Sequence, residues 1–294
     1  MTLQLRKAER SKVKLKIGMG GISGSGKTYS ALLMASGISS SWDKIAVIDT
    51  ENMSADLYAH LGSYNVITIT PPFTPEKYIE AIKLCEDSGM EVVIIDSCTH
   101  VWNGEGGLLE YQAELGGRYQ DWKKTTPRYQ RWLNAILQSK CHMICTTRRK
   151  TTYSMETENG KSKVTKKGLD DEIRGGFEYE MSLTFGLDIN NFAESEKNRT
   201  TIFKDGVAFK ITSDTGRALM EWANTGVEAK EIVFEPTETR DPVNPVTLKR
   251  LEERADLKTI NEVCGLSLKK IENITQTEAT ACLVKLMSLK SNKA

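Results

Sequence analysis

Short apolar runs alternate with longer amphipathic segments between residues 15 and 226. The runs are rich in valine, isoleucine and other strand-forming residues, whereas the segments between them have the length and periodicity of helices. Strands that alternate with helices are joined by crossovers, which make the strands parallel and place helices on both faces of the sheet. The pattern therefore predicts an α/β fold with a mostly parallel, twisted sheet. The predicted strands are residues 15–19, 44–49, 66–70, 92–96, 142–146 and 180–185, and the predicted helices include 28–36, 75–87 and 127–139.

The alternation ends near residue 200. Two closely spaced runs at residues 200–204 and 208–211 predict a terminal meander or hairpin, and residues 215–223 predict a closing helix. Residues 227–245 are enriched in proline and acidic residues, which predicts an extended linker. After it, apolar residues at three- and four-residue spacing predict two or three helices. The predicted regions are a basic tail (1–14), the α/β core (15–226), an acidic linker (227–245) and a small helical C-terminal domain (246–294).

Composition excludes several classes of protein. Hydrophobic residues make up 39% of the 294 residues, and none of the apolar runs reaches the length of a membrane span. We therefore expect a soluble, cytoplasmic protein with no membrane partner. A core of this size does not need disulfides, so we expect the cysteines to be buried free thiols. They are Cys85, Cys98, Cys141, Cys145, Cys264 and Cys282.

The net charge of +1 conceals a segregation of charge along the chain. Residues 1–16 contain six basic residues and one acidic residue, residues 118–131 contain five and one, and residues 148–167 contain seven and two. The remainder of the chain is correspondingly acidic. A near-neutral total therefore does not exclude a polyanionic partner, which we expect to bind along residues 118–131 and 148–167.

Residues 21–28 read Gly-Ile-Ser-Gly-Ser-Gly-Lys-Thr, a complete match to the phosphate-binding pattern G-x-x-x-x-G-K-[ST]. Glycines let successive backbone N–H groups face phosphate oxygens at the amino end of a helix, where the helix dipole also favours negative charge. Lys27 would reach the β- and γ-phosphates of ATP, and the Thr28 hydroxyl would bind Mg²⁺. The predicted nucleotide-binding residues are Gly21, Ser23, Gly24, Ser25, Gly26, Lys27, Thr28 and Tyr29.

Two predicted strands end in carboxylates. Four apolar residues lead to Asp96, which is suited to hold the same Mg²⁺ as Thr28. The other strand leads to Asp49 and Glu51, which share one face because side chains alternate along a strand. Glu51 lies further past the carboxyl end of its strand, where ligands bind in open α/β sheets. A carboxylate there can orient and deprotonate a water in line with the γ-phosphate, so we predict Glu51 as the catalytic base.

Three motifs, GISGSGKT at 21–28, AVIDTE at 46–51 and VVIIDS at 92–97, resemble the core of the RecA-type recombinase ATPases. More narrowly, the chain is similar to phage-encoded RecA-core ATP-binding proteins of recombination and single-strand annealing. The resemblance covers residues 15–225 and implies a RecA-like P-loop NTPase core in which Glu51 activates the water. It also implies single-stranded DNA as a partner, a homo-oligomer with shared ATP sites, and the host-cell cytoplasm as location if the protein is phage-encoded.

The resemblance suggests further site residues. The family places a polar sensor of the γ-phosphate after the strand predicted at 142–146, and Thr147 occupies about that position, where the recombinases have glutamine. Lys197 and Arg199, expected just before a strand, resemble the Lys-x-Lys element that reaches a neighbouring subunit's γ-phosphate. A surface turn is the alternative for these two residues.

Two segments that carry lysine or arginine side chains, residues 104–126 and 151–168, are predicted as DNA-binding loops. Tyr111, Tyr119 and Trp122 lie among the cations of the first segment. Rings can stack on bases while cations neutralise phosphates, which suits a single strand. The alternative is two solvated loops. The predicted DNA-binding residues are Arg118, Lys123, Lys124, Lys161, Lys163, Lys166 and Lys167.

The expected function is therefore a RecA-like ATPase that acts on single-stranded DNA in recombination, annealing or replication. Two alternatives remain open. One is a small-molecule P-loop kinase, in which Glu51 or Asp49 would orient an acceptor hydroxyl. The other is an ATP-switched adaptor whose C-terminal helices recruit a protein, for example a single-strand-binding protein.

Overall fold

The computed structural model describes residues 12–158, 161–204, 206–225, 245–253, 255–266, 271, 274 and 276–291, without the side chains of 151–168 and of some residues in the C-terminal helices. The predicted basic tail lies outside these residues except for 12–14. The predicted linker lies outside them except for Pro245. The chain divides into two compact units, Met1–Ala229 and Lys230–Ala294.

The strands described in the first unit form one eight-stranded sheet. They are β1 (Lys16–Gly21), β2 (Ile45–Asp49), β3 (Asn65–Thr68), β4 (Val92–Asp96), β5 (His142–Glu158), β6 (Lys161–Asp171), β7 (Leu183–Leu187) and β8 (Ala193–Asn198). The order is β3-β2-β4-β5-β1-β7-β8, and β6 pairs with β5 beside this path. Pairing is parallel from β3 through to β7, whereas β8 runs antiparallel to β7 and β6 antiparallel to β5. The predicted α/β fold with a mostly parallel sheet is confirmed.

Helices cover both faces of the sheet. The helices of this unit are α1 (Lys27–Ile38), α2 (Pro75–Asp87), α3 (Thr99–Asn103), α4 (Leu108–Glu114), α5 (Trp122–Gln138), α6 (Phe177–Glu180) and α7 (Ser213–Asn224). Alternate residues of β4 enter two separate cores. Ile95 belongs to the core that contains Trp132 of α5, and Ile94 to the core that contains Leu32 of α1. A strand buried on both faces reads as a continuous apolar run, which is why β4 was predictable.

Residues 151–158 and 161–168, which fall in a predicted loop, belong to two long strands instead. β5 continues to Glu158, and β6 returns from Lys161 to Asp171 as its antiparallel partner. The segment lacks the apolar alternation by which half-buried strands are recognised, and a hairpin ladder of backbone hydrogen bonds does not require that alternation.

Residues 104–126, also predicted as a loop, are largely helical. They contain α4, a 3₁₀ turn at Tyr119–Asp121 and the first turn of α5. Helix α5 begins at Trp122, so Pro127 lies inside it rather than at its start. Proline favours the first helical turn, and that preference placed the predicted start five residues too late.

The terminal hairpin is formed by β7 and β8, one apolar run earlier than predicted. Among the described residues of 200–211, Phe209 forms only an isolated bridge with Ala193. Lys197 and Arg199 therefore lie at and just after the end of β8, not before a strand as predicted.

The second unit contains helices α8 (Pro245–Glu252), α9 (Leu257–Cys264) and α10 (Gln276–Ser291). Cys264 and Cys282 form a disulfide, so the prediction of a free thiol is wrong for both. Their Cα atoms lie 5.7 Å apart because α9 and α10 pack around a small core, and such units gain from a covalent link. The other cysteines, Cys85, Cys98, Cys141 and Cys145, are buried and free.

Within the described residues, every helix is too short or too polar to span a bilayer.

Candidate active site

The glycine-rich loop joins the carboxyl end of β1 to the amino end of α1. Gly24 and Gly26 have φ angles of 82° and 77°, in the left-handed region that favours glycine. Lys27 Nζ donates hydrogen bonds to the carbonyl oxygens of Gly21 and Ile22 at 3.0 and 2.9 Å. Burial lowers the pKa of Lys27. The ammonium group therefore lies folded over the start of its own loop, partly withdrawn from solvent.

The loop fits a phosphate group. Ser25 Oγ is fully buried and has no hydrogen-bond partner among the described residues. A buried hydroxyl normally has a partner, and a phosphate oxygen would provide one. Gly24 has open space where a side chain would begin. Tyr29, the last predicted nucleotide-binding residue, is 41% exposed, and its ring lies 6.0 Å from that of Tyr58.

The structure brings Thr28 and Asp96, the two predicted metal ligands, into contact. Thr28 Oγ1 donates to Asp96 Oδ2 at 2.5 Å, and Thr146 Oγ1 donates to Asp96 Oδ1 at 2.5 Å. Burial raises the pKa of Asp96, and the two hydroxyl donors oppose that rise. Hydroxyl and carboxylate oxygens are hard ligands that fit Mg²⁺, whose remaining positions are usually taken by water and phosphate. Clusters of three or more His, Cys, Asp or Glu that could hold another metal are not found in the described residues.

The two carboxylates after β2 have different surroundings. Asp49 is buried, and its oxygens accept the backbone N–H groups of Glu51 at 2.6 Å and Ala55 at 2.8 Å. Burial raises its pKa. Asp49 therefore fixes the loop that follows β2. Glu51 accepts hydrogen bonds from Ser97 Oγ at 3.0 Å and from Arg148 Nε at 2.8 Å.

One cavity of about 240 Å³ brings these groups together. It lies at the carboxyl ends of β1, β2 and β4, the position at which open α/β sheets bind ligands. The lining includes the predicted lysine, both predicted metal ligands and the predicted base. The lining residues are Ser23, Gly24, Gly26, Lys27, Thr28, Glu51, Ser54, Tyr58, Asp96 and Arg148.

Thr147, the predicted sensor, does not contact this cluster. Its hydroxyl donates to Asp171 Oδ1 at 2.7 Å, in contact with β6. The preceding residue, Thr146, contacts the carboxylate of Asp96 instead. Successive residues of a strand point to opposite faces. Thr147, one residue after Thr146, therefore lies on the face of β5 that is turned away from Asp96.

Two residues in or beside the cavity, Thr146 and Arg148, were missed by sequence reasoning. Both follow from alternation along β5, because Thr146 and Arg148 share one face and Thr147 the other. The signal was therefore present, but it required knowing that β5 lies between β4 and β1 in the sheet.

Lys197 and Arg199 do not contact the glycine-rich loop of their own chain. Lys197 pairs with Thr184 near the amino end of β7, whereas the loop follows the carboxyl end of the parallel strand β1. Lys197 Nζ donates to the carbonyl of Tyr179, and Arg199 is exposed. Burial lowers the pKa of Lys197, with the charge of Arg199 adding to that effect. A contact with a γ-phosphate would therefore have to involve the site of a second copy.

Arg118, Lys123 and Lys124 are exposed at the 3₁₀ turn and the first turn of α5. Arg118 lies 3.5 Å from Asp121, which partly offsets its charge. Lys123 borders an open cavity of about 870 Å³, here called the aromatic groove. Its lining residues are Trp102, Tyr119, Gln120, Trp122, Lys123, Thr126, Pro127 and Arg174.

The aromatic groove combines flat rings with cations. Trp102 and Trp122 stack with their ring centroids 5.7 Å apart, and Tyr119 is 92% exposed. The Arg174 guanidinium lies 5.8 Å from the centre of the Trp122 ring and 5.0 Å from that of Tyr129. None of the lining residues is acidic. Such a surface suits a ligand with both rings and negative charge.

The remaining predicted DNA-binding residues lie on β6, whose backbone pairs with β5. The side chains of Lys161, Lys163, Lys166 and Lys167 lie outside what the structure describes.

Comparison with known proteins agrees with this geometry. The model of the AAA domain family, a family of P-loop ATPases, matches residues 13–233, which contain the whole cavity. A search of the curated proteins finds no match. The match covers well over half of the chain, so this protein belongs to the AAA domain family.

Proposed function

We propose that the chain binds Mg·ATP and hydrolyses it. The hydrolysis is coupled to the binding of single-stranded DNA in phage-type recombination, annealing or replication. The observation that carries the proposal is the single cavity that collects Lys27, Thr28, Asp96 and Glu51. P-loop ATPases need a phosphate cradle, a metal site and a group that orients water, and these residues are chemically suited to all three roles.

The chemistry follows from the positions of these groups. Backbone N–H groups of the loop and Lys27 would hold the phosphates, and Mg²⁺ on Thr28 and Asp96 would offset negative charge on them. A water attacks the γ-phosphorus while the bond to the β-phosphate oxygen breaks, which gives ADP and phosphate. Glu51 would accept the water's proton.

The proposed DNA contact rests on the aromatic groove and its cations. Its rings offer stacking surfaces for unpaired bases, and Lys123 and Arg174 would neutralise phosphates. Lys124 and Arg118, both exposed, would extend the basic surface along the strand. A homo-oligomer is part of the proposal, because Lys197 and Arg199 would have to serve a neighbouring copy. We further propose that the protein acts in the cytoplasm, that of the host cell if it is phage-encoded.

The direct test measures ADP formation with and without single-stranded DNA. The wild type should hydrolyse ATP in a Mg²⁺-dependent manner and faster with DNA, Lys27→Ala should lose binding and hydrolysis, and Glu51→Gln should lose hydrolysis alone. A phosphorylated acceptor without DNA stimulation would favour a small-molecule kinase. Retention of DNA-related function by Glu51→Gln would favour an ATP-switched adaptor.

Oligomerisation is tested by the mass in solution with ATP, with and without single-stranded DNA. Growth in mass in both conditions supports shared ATP sites, and growth only with DNA supports a filament. A monomer in every condition would contradict the shared site.

A further inference from the structure

A two-point ion pair between Arg148 and Glu51 occupies one side of the cavity. Arg148 Nε donates to Glu51 Oε1 at 2.8 Å, and Arg148 Nη2 donates to Glu51 Oε2. Ser97 Oγ adds a third donor to Oε1 at 3.0 Å. Both carboxylate oxygens are thus engaged by donors. In this arrangement Glu51 is poorly placed to accept a proton from water.

Arg148 is well placed to leave Glu51 for a phosphate. It pairs in register with Gly21, the first glycine of the phosphate-binding loop, and its side chain is 40% exposed. Its backbone N–H donates to Thr99 Oγ1 at 2.8 Å, which anchors the main chain independently of the contact between the guanidinium and Glu51. The neighbouring Arg149 is held instead by Asp171 and Glu196.

Lys27 and Arg148 are the cationic side chains that line the cavity. Lys27 already contacts the carbonyls at the start of the loop. A γ-phosphate has three terminal oxygens and more negative charge than one carboxylate. The planar guanidinium can bind two such oxygens as it now binds the two of Glu51.

We propose that Arg148 is a catalytic residue that transfers from Glu51 to the γ-phosphate when ATP binds, and thereby releases Glu51 to receive the attacking water. The inference rests on the proposed ATPase function. Arg148 would then stabilise the charge on the transferred phosphoryl group, while Ser97 continues to orient Glu51. With ADP, which lacks that group, Arg148 remains on Glu51. The ion pair thus distinguishes the two nucleotides.

The test compares the affinities for ADP and for a non-hydrolysable ATP analogue, measured with Mg²⁺ by displacement of a fluorescent nucleotide. Arg148→Ala should weaken analogue binding about tenfold or more, leave ADP binding within about threefold, and slow single-turnover hydrolysis at least about a hundredfold. Arg148→Lys keeps the positive charge but loses the planar, two-point geometry. Its analogue affinity and hydrolysis rate should therefore lie between those of the wild type and of Arg148→Ala. Arg217→Ala, which removes an exposed ion pair on α7, is the matched control and should change neither affinity.

A second pair of variants tests the exchange itself. Glu51→Gln weakens the ion pair that competes with the γ-phosphate for Arg148, so this single variant should bind the analogue more tightly than the wild type does. When Arg148→Ala is already present, adding Glu51→Gln should not tighten analogue binding. The inference would be overturned if Arg148→Ala changed the affinities for ADP and for the analogue equally, so that their ratio stayed the same. It would also be overturned if Arg148→Ala hydrolysed ATP faster than the wild type. Absence of Mg·ATP binding by the wild type would instead overturn the proposed function.

Discussion

Gly37 of α1 and Gly216 of α7 lie in backbone contact. A Cβ on Gly216 would lie 2.9 Å from the Cα of Gly37 and 2.1 Å from the carbonyl oxygen of Met34. The two helices can approach this closely because neither has a side chain at the crossing. Since α1 begins at Lys27, its packing against α7 also holds the residues that would bind phosphate and metal.

Gly216→Ala should therefore lower the free energy of unfolding by about 1–3 kcal/mol or more, because the methyl group would meet rigid backbone. Urea unfolding followed by tryptophan fluorescence measures this in the first unit, which contains all five tryptophans. Gly175→Ala is the matched control, since Gly175 has open space at its Cβ position. Equal stability of the two variants would show that the helices separate at little cost.

Thr28→Val should weaken Mg²⁺-dependent ATP binding about tenfold or more, because it removes a metal ligand while keeping the shape of the side chain. Thr28→Ser retains the hydroxyl and should stay within a few-fold of the wild type. Titration of nucleotide binding with Mg²⁺ measures the difference. If the valine and serine variants require the same Mg²⁺ concentration, the hydroxyl of residue 28 is not a metal ligand.

The residues at strand ends were the most predictable part of the site. Asp96 and Glu51 follow apolar runs whose carboxyl ends must meet at one edge of a parallel sheet, so their convergence follows from the fold class. Thr146 required the identity of the neighbouring strand as well. Only the strand order β4-β5-β1 shows that Thr146 of β5 lies next to Asp96 at the end of β4.

Features without an apolar signature could not be predicted in the same way. The hairpin of β5 and β6 is joined by backbone hydrogen bonds, and its sequence lacks the alternation that marks a half-buried strand. The Cys264–Cys282 disulfide depends on how α9 and α10 pack, which the spacing of 18 residues does not specify. Both depend on long-range pairing rather than on local sequence.

His142 should make the first unit sensitive to acid. The imidazole is buried, and its Nδ1 accepts the backbone N–H of Leu15 at 3.2 Å. Burial, aided by the charges of Lys14 and Lys16, lowers its pKa to about 3. The folded state therefore binds fewer protons than the unfolded state, so the stabilisation is complete above the ordinary pKa of about 6.5 and is lost as the pH falls towards 3.

His142→Asn keeps an acceptor for Leu15 but cannot be protonated in this range. The unfolding free energy of the wild type should fall by up to about 1.4 kcal/mol per pH unit more steeply than that of the variant between pH 6 and 4. Urea unfolding at several pH values measures both slopes. His60→Gln, at an exposed histidine, should behave as the wild type. Parallel slopes for all three proteins would assign the acid sensitivity to other groups.

Tyr119→Ala should weaken binding of single-stranded DNA by about 1–3 kcal/mol if a base stacks on this ring, which is 92% exposed beside Trp122. Tyr119→Phe retains the ring and should bind like the wild type. Tyr179→Ala removes another exposed tyrosine, outside the aromatic groove, and should have no effect. Fluorescence anisotropy of a labelled oligonucleotide measures all four proteins. Equal affinities of the two alanine variants would exclude stacking on Tyr119.

Lys123→Ala should change the salt dependence of DNA binding rather than the response to base identity. A lysine that neutralises one phosphate contributes about one counterion, so the slope of log affinity against log salt concentration should become shallower by about 0.7 for a single strand. Because Lys123 borders the aromatic groove, affinity for different homopolymers should fall by similar factors. Lys83→Ala, at an exposed position of α2, should leave the slope unchanged. An unchanged slope for Lys123→Ala would place the DNA backbone elsewhere.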